Sequence, residues 1–150
     1  MNSLHIDEFY HDCGKALIQL FNAFPRLITV YVDDLIPRSA TECGTDEYGI
    51  PTRRHQACFD TLLWLADEGY IRYQSRIQQS ALDQVVLTEK SFLRLTSLIV
   101  EDNNNVKMKR PINQAYLLHQ AIKSGHTEVI NKAVIEFLQQ DANSNTCINQ

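Results

Sequence analysis

The sequence predicts an α+β fold that is mainly helical, and three observations support this prediction. Apolar residues recur at helical spacing in several long segments, of which Asp7 to Phe24 is the first. Two short runs of apolar, β-branched and aromatic character, Ile71 to Gln74 and Gln84 to Leu87, flank a polar stretch, as in a β-hairpin. A helix stop at Gly69 and a helix start at Thr88 enclose this hairpin between two helices.

The first helix is expected over Asp7 to Phe24, because its apolar residues fall on one side and Pro25 follows its last turn. Gly14 lies inside this helix, where glycine costs about 1 kcal/mol relative to alanine. It indicates either close packing at this position or simple tolerance. A short strand is then expected over Leu27 to Tyr31, followed by one or two helical turns over Val32 to Ile36.

The helix from Thr52 to Glu68 is the centre of the functional argument. It follows a long polar loop over Arg38 to Ile50, and Pro51 suits its start. At 100° per residue, its inward stripe contains Cys58, Leu62, Leu65 and Ala66. The opposite side carries Arg53, Gln56, Asp60, Trp64 and Asp67. The polar side is therefore expected to stay free for a partner in its first turns.

After the hairpin, Thr88 is the expected N-cap of a helix whose buried side includes Phe92, Leu95 and Ile99. Two more helices are expected, one from Pro111 to Gly125 and one from Thr127.

These elements divide the chain into three parts. Residues 1–100 form the first domain. Residues 106–140 form a C-terminal helical hairpin that packs on this domain or makes a dimer interface, and residues 141–150 form a flexible tail.

Composition narrows the classes of function. The net charge of −4 counts against a nucleic-acid partner, since backbone binding draws on Lys and Arg, although a local patch can be basic on an acidic protein. The N-terminus lacks the basic start and apolar block of a signal peptide, and no apolar run is long enough to span a membrane. A cytoplasmic protein with reduced cysteines and no membrane contact is expected.

No catalytic, cofactor or metal motif is evident. There is no Gly-rich phosphate loop and no serine in a nucleophile-elbow context, and the adjacent carboxylates Asp33 and Asp34 point apart. Cys43, His55 and Cys58 have no paired ligand spacing, so a capping histidine and a core cysteine explain them better than zinc. We predict that the protein is not an enzyme and that it needs no cofactor or metal.

Three segments carry a family resemblance: Cys58 to Leu65 (CFDTLLWL), Asp67 to Ile71 (DEGYI) and Val85 to Lys90 (VVLTEK). On these segments, residues 12–98 resemble winged helix-turn-helix proteins, as found among bacterial transcription regulators. The chain departs from many of them in the long acidic loop Arg38 to Ile50, where they have a tight turn. The resemblance implies a winged helix for this part of the chain, and the sequence pattern adds the C-terminal helices, which gives a winged helix-turn-helix with additional C-terminal helices.

The resemblance also implies DNA binding through the Thr52 to Glu68 helix in the major groove. Arg53 would read guanine edges and Gln56 adenine edges. Thr52, Arg54 and His55 in the first turn would contact phosphates. Small regulators of this class work as twofold dimers on palindromic sites, so a homodimer held by the first and C-terminal helices is expected.

Arg72 and Arg76 are expected on the wing, beside the backbone or the minor groove. Two residues on the outer side of the Thr52 to Glu68 helix do not suit a DNA-contacting surface. Asp60 repels phosphates, and Trp64 is too large to leave in water. Trp64 is expected to pack on the first helix, the C-terminal helices or a partner subunit.

The alternative function is a winged-helix protein–protein module without DNA binding, whose partner is a basic protein surface. A third hypothesis is a regulator with a ligand pocket between the first and C-terminal helices.

Overall fold

The computed structural model describes residues 4–36, 52–99 and 112–144. The helices are α1 (Leu4–Ala23), α2 (Val32–Leu35), α3 (Arg53–Asp67), α4 (Glu89–Thr96), α5 (Gln114–Ser124) and α6 (Thr127–Ser144). The strands are β1 (Ile28–Tyr31), β2 (Ile71–Arg72), β3 (Ser75–Ile77), β4 (Ala81–Leu87), β5 (Leu98–Ile99) and β6 (Ile112–Asn113). The predicted class, α+β and mainly helical, is confirmed. The predicted loop over Arg38 to Ile50 and the prolines at 51 and 111 lie outside the described residues.

One β-hairpin occupies residues 71 to 87 as predicted, but its paired strands are longer than predicted. Strands β2 and β3 pair with β4 in a single register, in which Ile71 faces Leu87 and Ile77 faces Ala81. The stretch before Gln84 looked like a polar tip, but Ala81 and Leu82 are fully buried and extend β4 toward the turn. The hairpin tip is therefore confined to residues 78–80.

Strand β1 pairs with the other side of β4, which gives the antiparallel order β1-β4-β2. The register shifts between Ile28 and Val30, where β4 has one extra residue. At this bulge Gln84 has a left-handed backbone with φ of 53°. The Asp83 carboxylate stabilises the bulge by accepting hydrogen bonds from Thr29 Oγ1 at 2.8 Å and from the Gln84 N–H at 3.0 Å.

Local capping signals place most helix ends as predicted. Thr52 and Thr88 cap α3 and α4 with their side chains, and Gly69 and Gly125 follow α3 and α5 with φ of 81° and 72°. Helix α5 begins three residues after Pro111, because Asn113 is its N-cap and accepts from the Tyr116 N–H at 2.8 Å.

Three further boundaries differ from the prediction. Helix α1 begins at Leu4, three residues before the predicted start at Asp7. Ile99 belongs to β5 rather than to the helix before it, because α4 ends at Thr96 and the chain then pairs with β6. Helix α6 continues to Ser144, past the predicted start of the tail at Asp141.

Helices α5 and α6 pack on α1 and share one core with α3 and the sheet. Leu118, Val134 and Phe137 are fully buried in this core. Gly14 permits the close approach, because a Cβ at this position would lie 2.9 Å from Ile122 Cδ1 and 3.4 Å from Leu118 Cδ1. Of the two explanations for Gly14, close packing is confirmed.

No helix within the described ranges combines the length and the apolar character required to cross a membrane.

Candidate functional site

The hairpin tip and the first turns of α2 and α3 meet at one end of the fold. His55 in the first turn of α3 is buried, and its Nε2 lies 2.7 Å from the carbonyl oxygen of Gln79 in the tip. Because a carbonyl only accepts, Nε2 is the donor in this bond. The other ring nitrogen lies 3.8 Å from Asp33 Oδ1 of α2, and the Val32 N–H donates to the Ser80 carbonyl at 2.9 Å.

Four of the predicted DNA-binding residues are exposed. Arg53 and Gln56 lie three positions apart on the outer face of α3, at the end where the hairpin tip is held. Arg76 lies on β3 close to the tip, and its Nε donates to Tyr73 Oη at 3.3 Å. Arg72 lies further away, at the base of the hairpin where β2 leaves the end of α3.

The phosphate-contact role predicted for Arg54 does not fit its position. Only 7% of Arg54 is exposed, and its two terminal nitrogens donate to the two carboxylate oxygens of Asp12 on α1, each at 2.7 Å. Arg54 lies four residues before Cys58, so it belongs to the inward stripe of α3 rather than to its outer face. We therefore remove Arg54 from the candidate interface. Thr52 is the N-cap of α3, and His55 holds the hairpin tip through its hydrogen bond to the Gln79 carbonyl.

The Asp12–Arg54 pair is a buried, charge-assisted contact that anchors the start of α3 on α1. Burial alone raises the pKa of the Asp12 carboxyl, but hydrogen bonds to Arg54 and His11 and the charge of Arg54 outweigh it and hold the pKa below its ordinary value. For Arg54, burial lowers the pKa, yet the bond to Asp12 keeps it above its ordinary value. Both groups therefore remain ionised at neutral pH.

Cys13 and Cys58 lie beside this ion pair and are fully buried. Burial, with the negative charge of Asp12, raises the pKa of each thiol. Both remain protonated and unreactive, as core cysteines do. The sequence analysis did not single out Asp12. The available signal was its position next to Cys13, on the side of α1 that packs on other elements.

Acidic side chains are also exposed on α2 and α3. Asp33 and Asp34 on α2 are exposed, and Asp60 is exposed on the outer face of α3. Trp64, one turn after Asp60, is 37% exposed and packs edge-to-face on Phe9 of α1 with ring centroids 5.1 Å apart. The expected packing of Trp64 on the first helix is confirmed, but the outer face of α3 stays exposed beyond its first turns, at Trp64 and at Asp67.

Among the described residues, no group of three or more His, Cys, Asp or Glu side chains is placed to hold a metal ion. Of the three residues considered for zinc, Cys43 lies outside the described residues. His55 Nε2 already bonds to Gln79, and Cys58 is buried against Asp12 and Arg54.

Comparisons of the chain with protein-family models, with curated proteins and with solved structures found no match.

Proposed function

We propose that the protein is a DNA-binding transcription regulator of the winged helix-turn-helix type. In this proposal α3 enters the major groove and the β2–β4 hairpin is the wing. The observation that carries the proposal is the His55–Gln79 hydrogen bond, because it holds the hairpin tip beside the first turn of α3. The exposed face of the helix and the tip can then contact one duplex together.

The roles of individual residues follow from their exposure. Arg53 and Gln56 would contact base edges, since arginine matches guanine and glutamine matches adenine. Arg76 near the tip would contact a phosphate, and Arg72 would do so only where the duplex reaches the base of the hairpin. Thr52 shapes the helix N-terminus, whose backbone N–H groups favour a phosphate.

The charge balance at this end predicts a modest salt dependence. Within the described residues, the exposed Arg53 and Arg76 share this end with the exposed Asp33 and Asp34. Arg72 lies at the base of the hairpin, and Asp60 lies two turns into α3. Two or three phosphate contacts per protomer correspond to a slope of about −2 to −3 in log K against log salt concentration. Twofold pairing of the protein would double this slope and match a palindromic site, so a homodimer acting in the cytoplasm is part of the proposal.

Arg53→Ala and Gln56→Ala are expected to weaken binding to the selected site by about 10- to 100-fold, since a good base contact contributes about 1–3 kcal/mol. The site is first selected from random duplexes, and affinities are measured at two salt concentrations. Arg76→Ala should instead weaken all duplexes alike and reduce the salt slope by about one unit per contact.

Arg26→Ala is the matched control, because Arg26 is an exposed arginine in the turn before β1, at the opposite end of the sheet. Circular dichroism checks that every variant folds. If Arg53→Ala binds the selected site as well as Arg26→Ala does, the major-groove role of α3 is rejected.

The second candidate is a winged-helix module that contacts a basic protein surface. The exposed carboxylates Asp33 and Asp34 of α2 and Asp60 on the outer face of α3 favour it, as does the net charge of −4. The same titration separates the two functions. A protein–protein module gives a flat salt response with DNA, whereas phosphate contacts give a negative slope.

A further inference from the structure

Trp64 gives α3 an exposed aromatic surface near the end of the helix. Its ring packs edge-to-face on Phe9 at 5.1 Å and stacks on Tyr70 with ring centroids 5.9 Å apart, yet 37% of the residue is exposed. Tryptophan is among the residues that most often dominate the energy of a protein–protein contact. Because two neighbouring rings hold the indole in place, contact with a partner would cost little side-chain entropy.

Acidic side chains flank Trp64 at the end of α3. Asp60 precedes it by four positions, and Asp67 and Glu68 follow it by three and four, the spacings that make side chains neighbours on a helix. All three acidic residues are exposed, and none of their carboxylates is in an ion pair within the described residues. The indole with these three carboxylates forms a negatively charged aromatic surface, called here the Trp64 surface.

The C-terminus of α3 adds negative potential to this surface. Its last carbonyl groups carry partial negative charge, and its last turn has no basic residue. Lys90 of α4 offsets part of this charge, since its Nζ donates to the Glu68 carbonyl oxygen at 3.0 Å and lies 4.1 Å from the Tyr70 ring centroid. Arg72 on β2 is exposed but forms no ion pair with Asp67 or Glu68. A further cation would therefore stabilise this end of the helix.

We propose that the Trp64 surface binds a basic peptide segment of a partner protein through a stacked arginine. A planar guanidinium can lie on the indole face and pair with a neighbouring carboxylate at the same time. Asp60 and Asp67 lie about 6 Å and 4.5 Å from Trp64 along the helix axis. Alternate side chains of an extended segment are about 7 Å apart, so arginines on either side of the stacked one reach both carboxylates.

The Trp64 surface is separate from the DNA-contacting face proposed above. Trp64 lies about 16 Å along the helix axis from Arg53, at a rise of about 1.5 Å per residue. The surface is also distinct from the carboxylates of α2. The peptide site therefore does not rest on the DNA-binding proposal, and it gives a basic partner a defined position on the molecule.

Three capped heptapeptides test the site, in which arginine, glutamine or glutamate alternates with alanine. Each is titrated into the full chain at neutral pH and low salt. Trp64 is the single tryptophan of the chain, so its fluorescence reports this surface directly, and calorimetry gives the affinity. The arginine peptide is expected to bind saturably and to change the Trp64 emission. The glutamine and glutamate peptides should bind at least about tenfold more weakly.

Paired variants separate this surface from a general attraction to an acidic protein. Asp60→Asn with Asp67→Asn removes two charges beside the indole and should weaken binding of the arginine peptide by about three- to tenfold. Asp33→Asn with Asp34→Asn is the matched control, because it makes the same charge change on exposed residues of α2. The control should change the affinity by less than about twofold.

Two single variants complete the test, with circular dichroism as the check on folding. Trp64→Leu removes the stacking surface and should weaken the arginine peptide by about threefold or more in calorimetry. Arg53→Ala should leave peptide binding within about twofold of the wild type. Failure of the DNA-binding proposal would therefore not be confused with failure of the peptide site.

Four outcomes would overturn the proposal. Two concern the peptides: no saturable change in Trp64 emission with the arginine peptide, or equally tight binding of the glutamine peptide, which would indicate an apolar partner. A third is equal weakening by the two double variants. The fourth is a Trp64 emission that changes with protein concentration alone, which would assign the surface to a second copy of the chain.

Discussion

Replacing Asp12 by alanine is expected to lower the free energy of unfolding by about 3–5 kcal/mol, because it leaves the Arg54 guanidinium buried without its partner. Asp12 is 1% exposed, and its two oxygens accept both terminal N–H groups of Arg54 at 2.7 Å. A loss of this size is a large part of the about 5–15 kcal/mol that stabilises a domain. Urea unfolding followed by circular dichroism measures it.

A double variant separates the cost of an unpaired charge from the contribution of the pair itself. Asp12→Leu with Arg54→Met removes both charges and fills the space with apolar groups. It is expected to be more stable than Asp12→Ala, because a buried pair can be replaced by apolar residues at little cost, whereas a single buried charge cannot. A loss below about 1 kcal/mol in Asp12→Ala, within the range of a typical single substitution, would contradict this account.

Acid is expected to weaken the fold through the same carboxyl. The pKa of Asp12 in the folded protein lies below its ordinary value of 3.8, so the unfolded chain binds the proton first as the pH falls. The stability that Asp12 contributes is therefore complete above the ordinary pKa and is lost as the pH falls through the folded pKa.

Unfolding curves between about pH 5 and pH 2 test this linkage. The wild-type protein should lose stability more steeply over this range than Asp12→Asn, whose side chain does not titrate. Equal slopes for the two proteins would show that the carboxyl does not contribute through its charge.

Phe137→Ala in α6 is expected to cost about 3–5 kcal/mol, the range for removing a buried aromatic ring. Phe137 is fully buried, with its ring centroid 5.5 Å from that of Tyr70. Its carbonyl oxygen accepts a hydrogen bond from Arg94 Nη1 of α4 at 3.3 Å. Because α6 shares the core of α1 and α3, the variant should unfold in one cooperative transition at lower urea concentration.

Glu136→Ala is the control for this prediction, since Glu136 is exposed on the same helix. Its effect should stay within about 0.5 kcal/mol of zero. Two separate transitions in Phe137→Ala, or a stability equal to that of Glu136→Ala, would mean that α5 and α6 are a unit apart from the rest.

Some helix ends were predictable from the sequence because they depend on neighbouring residues alone. Thr88 caps α4, and the left-handed residues Gly69 and Gly125 follow α3 and α5 at the predicted positions. The start of α5 was harder to predict, because Pro111 and Asn113 both suit a helix start and lie only two positions apart. There the pairing of β5 with β6 selected the later start.

The candidate site was predictable only in part. Exposure of Arg53 and Gln56 follows from the periodicity of α3, which by itself determines which side chains share a face. Arg54 lies at the edge of the inward stripe, and periodicity does not say whether such a residue meets water or another helix. The contact with Asp12 arises between residues 42 positions apart, so only the packing of α1 on α3 decided it.

What the sequence determined by itself is the class of the fold, the order of its helices and of strands β1, β2 and β4, and the polar face at the start of α3. These depend on hydrogen bonding and apolar spacing over a few residues. The tertiary structure decided which polar groups are buried together, because distant parts of the chain meet only when the core closes. It thereby brought the hairpin tip to His55 and turned Arg54 inward to Asp12.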